Sequence, residues 1–137
     1  MIKRLYLALR RAALRILVRP PAIPAGSPGE PWSAVLVISE RRLGDVSLEI
    51  PAIRSLRSAC PNAVLGIVAP KNLHPLLEWA CRPDILFDYS NRKEIRSQEW
   101  DAAIDLTCDY HLEPALLAAG SRAPLRIGFA YAGRERF

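Results

Sequence analysis

The chain is 137 residues long, half of them apolar and about a quarter charged, which is the make-up of one folded domain large enough to bury a core. Its net charge of +5 is uneven: residues 1–20 hold six bases and no acid, and the rest holds 13 bases against 14 acids, leaving the folded part no basic excess for a nucleic-acid partner. The three cysteines form no CxxC pair and no Cys/His cluster, so the sequence points to no metal site and no disulfide framework, only reduced thiols in a reducing compartment.

On a helical projection the leader, residues 1–19, gathers Lys3, Arg4, Arg10, Arg11, Arg15 and Arg19 within roughly half the circumference. Ile2, Leu5, Leu9, Ala13 and Ile16 lie on the other side, with Leu7, Leu14 and Val18 as exceptions. A basic amphipathic helix of this kind suits an anionic membrane surface, where each base is worth about 1 kcal/mol. Packing on the domain or on a partner, and organelle targeting, are its other readings. Its longest uncharged run, Leu5 to Leu9, is too short to cross a bilayer. Residues 20–31, PPAIPAGSPGEP, hold five of the twelve prolines and read as an extended, semi-rigid linker. The folded domain is expected over 32–137.

From Trp32 onward strands and helices alternate. Ala34–Ser39 is a continuous apolar run suited to a strand covered on both faces. Val46, Ile50, Ile53, Leu56 and Cys60 follow at helical spacing, with Pro51 either kinking that helix or placing its true start near Ile50. Ala63–Ala69 is the second strand, and Asn72 is placed to cap a short helix whose face is Leu73, Leu76, Leu77 and Ala80. Ile85–Phe87 is a short third strand, and the polar segment 91–98 allows one or two helical turns. Ala102–Leu106 is the fourth strand, Leu112, Leu116 and Ala119 line a fourth helix, and Arg126–Phe129 is the fifth strand. This order predicts an α/β fold, a Rossmann-like parallel sheet with right-handed crossovers and helices on both faces.

In such a sheet ligands bind beyond the carboxyl ends of the strands. The first strand runs there into Glu40-Arg41-Arg42-Leu43-Gly44-Asp45. Neither the GxGxxG fingerprint nor the GxxxxGK[ST] phosphate loop is present, which argues against a flavodoxin-like nucleotide-binding domain. Gly44 is suited to close approach or a positive φ. Asp45 has two roles open to it: an N-cap, worth ~1 kcal/mol, or a carboxylate used in chemistry. Arg41 and Arg42 are forks suited to phosphate or carboxylate groups. The loop after the fourth strand, Thr107-Cys108-Asp109-Tyr110-His111, faces the same cleft.

The run RRLGDVSLEIPAIRSLRSACPNAVLGIVAP resembles the amino-terminal domain of glycosyltransferase family 9, the lipopolysaccharide heptosyltransferases. The matching pieces are Gly44-Asp45, Pro51, Leu56-Arg57 and Pro61-Asn62-Ala63. A second stretch, WDAAIDLTCDYHLEPALLAAGSRAPLRIGFAYAGRERF, is similar to the family's fourth strand, polar loop, Ala/Leu helix and Arg-Ile-Gly-Phe strand at 126–129. Thr107-Cys108 departs from the pair common in that family. The resemblance implies one half of a GT-B architecture. It further implies inverting transfer of a sugar from a nucleotide-sugar donor to a glycolipid acceptor such as a lipopolysaccharide core, with no required metal. Asp45 corresponds to the family's proposed general base. Gly44, Arg41, Arg42 and His111 become candidate acceptor-binding residues.

Nothing in the sequence corresponds to the second domain, which binds most of the donor. The chain is thus expected to offer an acceptor-side surface, to bind no covalent cofactor, and to meet an ADP-heptose-like donor only with that second domain, on a partner chain or otherwise. Alone it is expected to be inactive, whether it is a fragment, a split gene product or a stand-alone domain. A cytoplasmic place, peripheral on the inner face of a bacterial membrane, goes with that reading. The non-enzyme alternative is a membrane-associated binding module derived from a glycosyltransferase half.

Overall fold

The computed structural model describes residues 32–108 and 111–129. The leader at 1–19, the linker at 20–31, Asp109-Tyr110 and residues 130–137 lie outside the described residues, and with them the expected amphipathic helix. Five apolar runs form strands: β1 (Ala34–Ile38), β2 (Val64–Val68), β3 (Ile85–Phe87), β4 (Ala102–Asp105) and β5 (Leu125–Gly128). All neighbours pair in parallel, in the order β3-β2-β1-β4-β5. Parallel pairing needs a crossover between successive strands, and the helices α1 (Leu43–Ala59), α2 (His74–Cys81), α3 (Arg92–Ser97) and α4 (Leu112–Gly120) supply them.

The expected α/β class, Rossmann-like sheet and helices on both faces are therefore present, with two local corrections. First, α1 is continuous across Pro51 and starts at Leu43, not near Ile50. Second, Asn72 caps nothing: it lies inside a 3-10 turn, Lys71–Leu73, whose preceding residue is Pro70, and α2 begins at His74 with Pro75 in its first turn. Proline suits that place because its missing N–H would have had no partner there.

Strand alternation sends successive side chains to opposite faces. Val35, Val37, Leu65 and Ile67 face α1 and α2, where they meet Val46, Ile53, Leu77 and Cys81. Leu36, Ile38, Val68 and Phe87 face the other way and meet Ile95 of α3 and Leu117 and Ala118 of α4. Trp100 closes this second core edge-on to Phe87, ring centroids 6.1 Å apart, with its indole N–H donated to the Ile95 carbonyl at 2.8 Å. Gly66 on β2 makes room for it: a Cβ there would stand 2.5 Å from Cη2 of Trp100.

The starting ends of the strands are pinned by charged side chains. Arg57, in the last turn of α1, donates to the Ala63 carbonyl at 2.8 Å and to Asp84 at 2.6 Å. Asp84 also accepts the Leu65 N–H at 2.7 Å. The Leu65 amide and Arg57 hold the Asp84 carboxyl below the usual carboxylate range. Asp101 accepts the N–H groups of Ser33 and Ala34. The α1 face is less complete over β4, where Trp32, Leu56, Ile104 and Leu106 line an open apolar cavity of about 380 Å³.

Candidate functional site at the strand ends

The sheet changes winding direction between β1 and β4, and the crevice outside their carboxyl ends is where an open α/β sheet accepts a ligand. The β1 side of that crevice consists of Ser39 to Arg42 and the first turn of α1; the β4 side consists of Asp105, Thr107 and Cys108, with His111 and Glu113 at the start of α4. Gly44, Asp45, Arg41, Arg42 and His111 all belong to these elements, so the fold brings the sequence candidates to one end of the sheet.

Asp45 is not the N-cap. That position belongs to Arg42, in extended backbone, with no side-chain cap bond, and Asp45 sits in the first turn of the helix. A carboxylate there is favoured by the helix dipole. Asp45 is half-buried and forms no hydrogen bond or ion pair among the described residues. Gly44 is helical too, and it is not at positive φ: nothing lies within 4 Å of where its Cβ would be. The chain's own packing makes no demand for glycine at that exposed position.

Among the described residues the neighbouring carboxylates are all occupied. Glu49, one turn beyond Asp45 and 9% exposed, accepts the Ser39 hydroxyl and, at 3.0 Å, the Glu40 N–H. Burial, opposed by those two bonds and reinforced by the charges of Glu40 and Asp45, pushes its carboxyl up to about 7. Glu40 is buried as well, and its carboxylate accepts the Cys108 N–H at 2.7 Å. Glu40 thus joins the loop after β1 to Cys108 beyond β4, while Glu49 ties that first loop to α1. Asp105, at the end of β4, accepts both the N–H and the hydroxyl of Thr107, at 2.9 and 2.6 Å. Burial, with Glu40 beside it, pushes the Cys108 thiol up, away from the thiolate a nucleophile needs.

Arg41 forms the wall of the crevice. Its guanidinium donates to Glu113 and lies 4.0 Å over the centroid of the Tyr89 ring, a cation–π contact. Tyr89 in turn donates its hydroxyl to the Ser39 carbonyl. Glu113 also accepts Arg92 at 2.9 Å. Burial works to raise the Glu113 carboxyl, but the two arginines outweigh it and hold it below the usual carboxylate range. Arg41 is therefore held by Glu113 and Tyr89, though still exposed, and Arg42 is exposed beside it. His111 is exposed at the residue that precedes α4. His74 lies apart, against the Ala69 and Phe87 carbonyls at 2.9 and 3.3 Å, and is structural.

Glu49 and Glu40 are the site residues that sequence reading missed. The signal for Glu49 was present: Val46, Glu49 and Ile53 form the buried column of α1, so a carboxylate occupied the apolar stripe. No group of His, Cys, Asp and Glu suited to a metal occurs among the described residues.

No known family profile matches the chain, and no curated protein does. Solved structures do. The ADP-heptose lipopolysaccharide heptosyltransferase II of E. coli superposes with a TM-score of 0.63 and 23% identity, over 74% of this chain and 32% of that one. The glycosyl transferase family 9 protein of Veillonella parvula DSM 2008 superposes with a TM-score of 0.64 and 21% identity, over 78% and 35%. The fold is that of glycosyltransferase family 9. The sequence resemblance and the likeness of fold agree, and the chain spans about a third of the length of the family 9 structures it matches. The matched part of this chain is its five-stranded parallel, Rossmann-like sheet with the flanking helices.

Proposed function

We propose that this domain is the acceptor-side half of an inverting glycosyltransferase, and that Asp45 is its general base. The observation that carries the reading is the state of Asp45: among the described carboxylates of the crevice it is the one the fold does not use, while Glu40, Glu49, Asp105 and Glu113 are each bonded. A base must have free lone pairs within hydrogen-bond reach of the proton it takes. The acceptor is a hydroxyl of a glycolipid. Its proton passes to Asp45 as its oxygen forms the new bond to the anomeric carbon. The bond from that carbon to the nucleoside diphosphate breaks on the opposite face, so the configuration inverts. The donor, an ADP-heptose-like nucleotide sugar, is held by a second half, on a partner chain or a continuing one, whose amides and bases stabilise the departing diphosphate.

Within this reading the open space at Gly44 admits the acceptor sugar against the helix start. Arg42 and His111 reach the acceptor from the β1 and α4 sides, and Arg41 acts as a fixed wall. The proposed place is cytoplasmic, peripheral on the inner face of the membrane. No helix among the described residues is long and apolar enough to cross one.

The test is Asp45→Asn in the chain joined to, or mixed with, a donor-binding half, followed by nucleoside diphosphate release. Turnover should fall by ~10²–10⁴-fold, the usual share of a general base. Thermal stability should hold, because Asp45 makes no bond that the amide would break. Undiminished turnover in the Asn variant overturns the assignment.

A further inference from the structure

The α1–α2 face of the sheet is unfinished. Ile104 on β4, Leu106 just beyond it and Leu125 on β5 pack on that face. Ile127, paired with Ile104 in register, follows Leu125 by two residues and is 42% exposed. Ile104 and Leu106, with Trp32 and Leu56, border the apolar cavity of about 380 Å³ beside α1. The sheet's own winding does not supply a cover. Right-handed crossovers leading outward from β4 put their helix on the opposite face, as α4 shows. Whatever covers this face comes from outside the β–α alternation.

We propose that residues 1–19 of the same chain cover it, docked as a helix with the apolar side inward and the basic side outward. Several observations name this occupant. The segment outside the described residues ends at Pro31, and the next residue, Trp32, lines the cavity. The linker's 12 residues, 20–31, extended at ~3.1 Å each, reach roughly 37 Å, enough to return over strands about 17 Å long. A helix through Ile2, Leu5, Leu9, Ala13 and Ile16 spans about 21 Å and matches that length. Along the rim α1 offers Ala52, Ser55 and Ala59, small side chains that let a second helix approach closely. The six bases then lie on the outer surface, where nothing in the cavity has to neutralise them.

Acrylamide quenching of Trp32 tests this in the full chain carrying Trp79→Phe, which removes an exposed indole and leaves Trp32 with the buried Trp100. Trp32 should be shielded, independent of protein concentration, and Leu5→Asp with Leu9→Asp should make it several-fold more quenchable. Leu5→Ala with Leu9→Ala, which adds no charge, should shift quenching in the same direction and covers the case in which the first pair perturbs folding. Three results overturn the proposal: free quenching of Trp32 in the unaltered leader, shielding lost on dilution (a second copy as cover), or shielding that needs anionic vesicles.

Discussion

Replacing Glu49 by Gln isolates the most perturbed charge near the site. The carboxyl has an ordinary value of 4.5 and is pushed up to about 7 in the folded chain, first by burial. A shift of that size is worth about 3 kcal/mol. The sign follows from proton counting. Between the two values the folded protein holds a proton that the unfolded chain has released, so stability falls as pH rises. The contribution is complete below 4.5 and lost as pH rises through about 7. Glutamine keeps an oxygen for the Glu40 N–H, and the Ser39 hydroxyl can turn to accept from its amide nitrogen, but it cannot ionise. Relative to the parent, Glu49→Gln should gain about 3 kcal/mol between pH 4.5 and 8, ending as the more stable protein at pH 8. Urea unfolding in steps across that range, followed by tryptophan fluorescence, measures it. Parallel stability profiles for the two proteins would refute the placement of an ionisable, buried Glu49.

Gly66→Ala should destabilise the domain by roughly 1–3 kcal/mol, the usual cost of overpacking a core, because the new Cβ stands 2.5 Å from Trp100; a lowered thermal midpoint checks it. Gly44→Ala should leave stability unchanged or raise it by ~0.5–1 kcal/mol, since alanine is the better helix residue and has open space there. In an assembled transferase the same substitution should raise the acceptor KM, as seen in initial rates. Arg82 closes α2 with φ of 49° and ψ of 57°. Arg82→Gly should relieve a left-handed residue at a helix end and stabilise by ~1 kcal/mol, again by thermal unfolding.

Much of the fold can be read from the sequence because its signals are long and local. Each strand is a run rich in apolar residues, every crossover but the polar segment 91–98 has helical spacing, and the order of the two kinds fixes a parallel sheet. What escapes is set by a single residue's backbone state or by contacts far along the chain. Asp45 has the chemistry of an N-cap, and only the path of the Ser39–Arg42 loop decides that Arg42 takes that place. Asn72 fails as a cap because Pro70 and Pro75 favour a 3-10 turn running directly into α2. The site shows the same division. The sequence places Gly44, Asp45 and the arginines at a strand end, but Arg41 meets Glu113 across 72 residues and Glu40 meets Cys108 across 68. Such pairings depend on strand order, which no local pattern encodes.

The carboxylate chain from Glu49 through Glu40 to the Cys108 amide has a consequence for how the domain meets anything that docks on it. Glu40 is the link that spans the crevice, from the loop after β1 to the Cys108 amide, and Glu49 braces that first loop from α1. Ordering flexible groups on contact costs association free energy, and Ser39, Glu40 and Cys108 hold these bonds before any partner arrives. Recognition at this edge is then a matter of matching a fixed outline. A substitution that cuts the chain, such as Glu40→Ala, should appear first as slower productive docking, with the sheet beneath left intact.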